Sequence, residues 1–155
     1  MVPGTADTIE RSVFIRRPRA RVWRALADVR EFARWFGVEA RGRFEPGARL
    51  TMASTLDGPY KGIPWQIEIV EITPETVLAW RWHPGAPDES LDYSKEPTTL
   101  VRFELRDAEG GTLVTVVETG FDRLSLARRA KVYADNDAGW KYQLASLERY
   151  AGGTA

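Results

Sequence analysis

Residues Ser125–Tyr150, SLARRAKVYADNDAGWKYQLASLERY, carry the one long helical pattern in the chain. Tyr133, Asp137, Trp140, Leu144, Leu147 and Ala151 recur at gaps of four, three, four, three and four, the spacing of a single buried helix face. Asp137 is the exception on that stripe, a carboxylate where an apolar side chain is expected. A long helix with a mostly apolar face must lie against something large. Nothing else in the sequence is helical at that length, so the partner surface must be a sheet built from the preceding residues.

Those residues read as strands. Thr8 to Arg16 alternates, with Ile9, Arg11, Val13 and Ile15 on one face. Pro18 suits a first helical position. Val22, Leu26, Val29, Phe32 and Phe36 then recur at helical spacing, predicting two short helices, Arg19 to Asp28 and Val29 to Trp35, closed by Gly37. Strands are predicted over Val38 to Phe44, Arg49 to Leu56, Gly62 to Ile72, Val77 to His83, Thr98 to Arg106 and Thr112 to Thr119. The third of these changes register at Ile69–Val70, which predicts a bulge. Proline- and glycine-containing turns separate the strands. Pro84 to Pro97 has no periodicity and is long enough to read as a functional loop. The order strand, two short helices, six strands and one long helix predicts an α+β protein: a seven-stranded, curved antiparallel sheet around a C-terminal helix. One domain is expected over residues 1–155, with 1–7 and 152–155 as flexible ends.

Composition removes several function classes. Lys plus Arg and Asp plus Glu are 22 each, so no net charge draws the chain to nucleic acid or an anionic membrane. The cluster Arg16, Arg17, Arg19, Arg21 and Arg24 reads as a solvated face. The absence of cysteine excludes disulfides, thiolate catalysis and sulfur-ligated zinc. With one histidine, a metal site and a metal cofactor are not expected. His83 itself reads as a solvated strand-end residue. No run reaches the ~20 apolar residues of a membrane span, and Met1 to Asp7 lacks signal-peptide features, so no membrane insertion and a cytoplasmic location are expected. There is no nucleophile elbow, phosphate loop or dinucleotide fingerprint.

Four stretches, in this order, resemble the START-like or SRPBCC helix-grip superfamily, and within it the homologues of the activator of the heat-shock-protein-90 ATPase. They are Ile15 to Phe36, with Arg17-Pro18-Arg19-Ala20-Arg21-Val22-Trp23 and Trp35-Phe36; Val70 to Pro74 with Leu78-Ala79-Trp80; Gly111-Thr112 through Glu118-Thr119-Gly120-Phe121; and Gly139-Trp140 with Leu144 and Leu147. The resemblance implies a helix-grip fold with a cavity between sheet and helix. It also implies that Val114, Val116 and Glu118 point inward. Members of the superfamily include ligand carriers, polyketide cyclases, hydroxylase domains and co-chaperones, so fold alone leaves function open.

The candidate cavity-lining residues are Trp35, Phe36, Met52, Trp65, Trp80, Trp82, Phe103, Val116, Glu118, Tyr133, Asp137 and Trp140. The 17 aromatic residues, six Trp, five Tyr and six Phe, supply stiff walls. Arg11 is the expected partner of Glu118, since the first and last strands of such a fold are antiparallel neighbours. Asp137 lines the cavity, pairs with Lys141 four residues on, or turns outward at a kink near Gly139. No catalytic residue is assigned. The leading expectation is a binding module for a small hydrophobic or amphipathic molecule. A cyclase or aromatase using the same pocket is second. A co-chaperone is third, because the namesakes also carry a chaperone-binding N-terminal domain for which the chain leaves no room. A homodimer is the other partner considered.

Overall fold

In a computed structural model, which describes residues 7–88 and 90–152, β1 (Thr8–Ile15) leads into α1 (Arg19–Ala27) and α2 (Val29–Phe36). Of the expected loose ends, 1–7 and 152–155, residues 1–6 and 153–155 lie outside the described residues, and Gly152 is the last residue of the C-terminal helix. Asp28 stands between the two helices in extended conformation and caps α2, accepting hydrogen bonds from the backbone N–H groups of Arg30 and Glu31. Gly37 ends α2 at φ 76°, a left-handed conformation that a side chain would resist.

Six further strands follow: β2 (Val38–Arg41), β3 (Arg49–Ser54), β4 (Pro64–Thr73), β5 (Val77–Trp82), β6 (Thr99–Ala108) and β7 (Gly111–Thr119). They form one antiparallel sheet in the order β1-β7-β6-β5-β4-β3-β2. The meander runs without a crossover until β7 pairs with β1. The register shift expected in β4 falls between Ile69 and Glu71. β2 stops at Arg41, three residues short of the predicted Phe44.

The sequence-predicted helix is α3 (Leu126–Gly152), unbroken through Gly139. Its second half follows the expected stripe: Trp140, Leu144, Leu147 and Ala151 are buried. Its first half does not. Val132, rather than Tyr133, is the buried residue there. Polar contacts fix α3 to the short helices: Gln143 Nε2 donates to Phe36 O at 3.0 Å, Ser146 Oγ to Trp35 O at 2.5 Å, and Tyr150 Oη to Glu31 at 3.0 Å. The arginine cluster is partly structural, since Arg21 and Arg24 both bind Glu31 and Arg19 binds Asp107.

Gly111, the first residue of β7, governs how closely β1 can approach. A Cβ there would run into the carbonyl oxygen of Ile15 and stand 3.0 Å from Arg16 Cα. The end of β1 therefore closes onto β7 only because position 111 has no side chain. Gly111→Ala is expected to lower stability by about 1–3 kcal/mol, as overpacking against rigid backbone does. The midpoint and slope of urea unfolding measure it, and an unchanged midpoint would contradict the close approach.

Candidate functional site

Between the outer half of the sheet and the middle of α3 lies a cavity of about 570 Å³. β4 contributes Pro64, Trp65 and Ile67 to its lining, and β5 contributes Trp82. The long loop brings His83, Gly85, Pro87, Tyr93 and Thr98, and α3 brings Asn136, Gly139, Trp140 and Gln143. Phe36, at the end of α2, completes the aromatic wall. Its ring centroid is 6.4 Å from Trp82 and 6.1 Å from Trp140, which stack on each other at 5.7 Å and 26°. Arg49, Glu68, Arg81 and Asp135 also line it, two charges of each sign.

Directly behind that wall is Glu118, with no exposed surface. Five hydrogen bonds from four side chains converge on it. Trp82 Nε1 (2.8 Å), Thr99 Oγ1 (2.5 Å) and Asn136 Nδ2 (3.1 Å) donate to Oε2. Trp140 Nε1 (2.7 Å) and Asn136 Nδ2 (3.0 Å) donate to Oε1. An ionised carboxylate only accepts, and each of these neighbours offers it a proton. The group is thus compensated by dipoles rather than by a cation.

Arg11 was the partner expected for Glu118, and here the structure differs. Arg11 and Glu118 share a face, since Ile9 pairs with Glu118 and Arg11 with Val116. The guanidinium nevertheless rises to the helix, where Nε and Nη2 hold the Asp137 carboxylate at 2.8 and 3.0 Å. Glu118 leans the other way, toward β6 and β5. The pair has side chains 35% and 37% exposed, so Arg11 keeps access to water that a bond to Glu118 would have denied it. Asp137 is therefore tied across to β1, and neither a Lys141 pair nor a kink explains its position on the stripe.

The Arg11 hydrogen bonds hold the Asp137 carboxyl below its ordinary 3.8; partial burial opposes them, and the nearby charges of Arg11 and Lys141 add to them. A carboxyl depressed in the folded state stabilises the fold above its unfolded value and loses that contribution as pH falls through the folded value. Asp137→Asn should therefore cost up to about 1 kcal/mol at neutral pH, the range of a solvent-screened pair. Below the folded value the cost should vanish. Urea unfolding of both proteins at the two pH values checks this.

Of the twelve candidate residues, the structure brings Phe36, Trp65, Trp82 and Trp140 to the cavity. Trp35, Met52, Trp80, Phe103 and Val116 are filled core, each 3% exposed or less. Trp35 Nε1 donates to Ala25 O at 2.7 Å, which fixes it between the short helices. Tyr133 turns toward β1, its hydroxyl donating to Thr8 O at 2.8 Å. Asn136 and Gln143 were missed. Asn136 sits four residues from both Val132 and Trp140, so a stripe drawn through Val132 would have found it. His83 is also better placed than a solvated strand end: half-buried, it lines the cavity, with Nε2 3.2 Å from Glu96 O and its ring centroid 5.0 Å from that of Tyr93. Among the described residues no group of His, Asp and Glu is arranged to hold a metal, and no helix is long and apolar enough to cross a membrane.

A curved antiparallel sheet wrapped on a C-terminal helix, with an aromatic cavity between them, defines a helix-grip protein. The chain belongs to the family described as Activator of Hsp90 ATPase homolog 1-like protein, whose model matches residues 16–152. Among solved structures, a protein of Mesorhizobium loti aligns at 20% identity over 96% of this chain and 98% of its own, with a TM-score of 0.73. DynU16, a protein in the dynemicin biosynthetic locus, aligns at 25% identity and TM-score 0.69 over 93% of this chain but 46% of its own. The Aha1 dimer from Colwellia psychrerythraea aligns at 16% identity and TM-score 0.69 over the full length of both. A search of curated proteins finds no match.

Proposed function

We propose that the protein binds a small hydrophobic or amphipathic molecule in the cavity between β4–β5 and α3. The observation that carries this is the cavity itself. Its volume of about 570 Å³ lies within the range of small-molecule sites, and aromatic faces with a few placed polar groups line it. Gly139 supports the reading: a Cβ there would meet nothing within 4 Å, so the helix leaves space at its cavity-facing turn rather than filling it. Native mass spectrometry and thermal-shift screening against lipid, aromatic and polyketide panels test it. The expected result is a one-to-one adduct with a raised melting temperature for at least one class. Empty panels in both measurements would end the proposal.

A cyclase-like enzyme is the second reading, favoured by one observation: Glu118 is buried beside the cavity without a cation. A general base, however, must offer a free lone pair to the substrate proton. Both oxygens of Glu118 are already taken by Trp82, Trp140, Asn136 and Thr99. The carboxylate serves better as the anchor of a rigid wall, and binding without chemistry is the simpler use of the site.

A further inference from the structure

We propose that Trp65 Nε1 and Gln143 Oε1 form a polar subsite in this cavity, and that the ligand carries a neutral group able both to accept and to donate, a hydroxyl or a carboxamide. The inference rests on the binding reading above and narrows it to a ligand chemistry.

The polar atoms of the cavity wall fall into two sets. Trp82 Nε1, Trp140 Nε1 and Asn136 Nδ2 are spent on Glu118, and Asn136 Oδ1 accepts from Gly85 N at 3.2 Å. Trp65 Nε1 and Gln143 Oε1 are buried and have no partner within the protein. One is a donor and the other an acceptor, they come from opposite sides of the cavity, β4 and α3, and both residues line it. A buried polar atom without a hydrogen bond is costly, so its retention asks for a reason. Two other such atoms, Trp80 Nε1 and Arg129 Nε, lie away from the cavity lining. A turn of the indole about its last, broad torsion presents Trp65 Nε1 to a ligand, and a turn of the Gln143 carboxamide presents Oε1 in exchange for its Nε2 bond to Phe36 O.

The two unpartnered atoms select the form of that ligand group. The charged residues of the lining are Arg49, Arg81, Glu68 and Asp135, the last paired with Lys131 at 2.8 Å. An ionised ligand carboxylate could not donate to Gln143 Oε1. An ammonium group could not accept from Trp65 Nε1. A hydroxyl or carboxamide satisfies both atoms and brings no charge.

Calorimetric titration with biphenyl, 4-phenylphenol, biphenyl-4-carboxamide and biphenyl-4-carboxylate tests the subsite. The phenol and the amide are expected to bind about tenfold tighter than biphenyl, the strength of one or two net hydrogen bonds, and the carboxylate weakest of the four. Trp65→Phe and Gln143→Leu should each remove most of that advantage, read as the ratio of phenol or amide affinity to biphenyl affinity on the same variant. Melting curves confirm that both variants are folded. Equal affinity for biphenyl and its polar derivatives, an advantage that survives both substitutions, or a carboxylate that binds tightest would overturn the subsite and leave the cavity reading standing. Failure of all four probes to bind would overturn the subsite, while the lipid and polyketide panels decide the cavity reading.

Discussion

Glu118→Ala is expected to lower the unfolding free energy by about 3–5 kcal/mol, the loss that follows when one member of a buried polar network is removed. The alanine leaves the N–H groups of Trp82 and Trp140, the Asn136 amide and the Thr99 hydroxyl facing each other without an acceptor. Each orphaned donor retains its desolvation cost. Glu118→Gln keeps the shape but places an NH₂ where donors already converge, so a loss of about 2 kcal/mol is expected, between alanine and wild type. Urea unfolding followed by tryptophan fluorescence measures both. If alanine cost less than about 1 kcal/mol, the carboxylate would not be the organising group of the wall.

Trp140→Ala should have an effect of similar size, about 3–5 kcal/mol, the usual cost of truncating a large buried aromatic. Trp140 is 2% exposed and packs against Phe36, Trp80, Trp82 and Phe103. It joins the helix to the sheet through its ring and to Glu118 through its N–H. Trp140→Phe separates the two contributions. It keeps most of the ring and loses the 2.7 Å bond, so about 1.5–3 kcal/mol is expected, the range for a bond to a charged group. In a Glu118→Ala background the same change should cost at least about 1 kcal/mol less, because the bond is already gone. Strict additivity of the two substitutions would show that the bond contributes nothing.

These expectations concern residues that sequence reading found but did not connect correctly. Glu118 was identified as inward-facing and assigned Arg11 as its partner. Alternation places a side chain on a face, and Arg11 and Glu118 do share one. It does not say which way a long side chain leans, and the two lean apart, to Asp137 on α3 and to Trp82 on β5. Asp137 is out of place on its stripe, and the one protein partner that spacing offers it, Lys141, is local because only local spacing is legible. Its partner is 126 residues away. The helical stripe was right from Trp140 onward, where apolar residues mark it plainly. Toward the N-terminus, Tyr133 and Asp137 fit the same spacing as Val132 and Asn136, and periodicity alone does not choose between adjacent rows. Core and cavity wall draw on the same aromatic residues, so Trp80 and Trp82, neighbours on one strand face, could not be separated by type.

What the sequence determined by itself was the set of elements and their order. Period-two and period-3.6 patterns report which face of each segment is apolar, and proline and glycine at the breaks report where the chain turns. From these followed the seven-stranded sheet and the long helix from Ser125, observed as Leu126–Gly152. Tertiary structure decided the use made of that helix. One flank carries Asp137 to Arg11, and the other carries Asn136 and Trp140 to Glu118 and borders the cavity. The physical reason is that a hydrogen bond depends on where two side chains end, and a cavity depends on volumes that fail to meet. Both are properties of distant segments brought together, and neither is written in the spacing of residues along one of them.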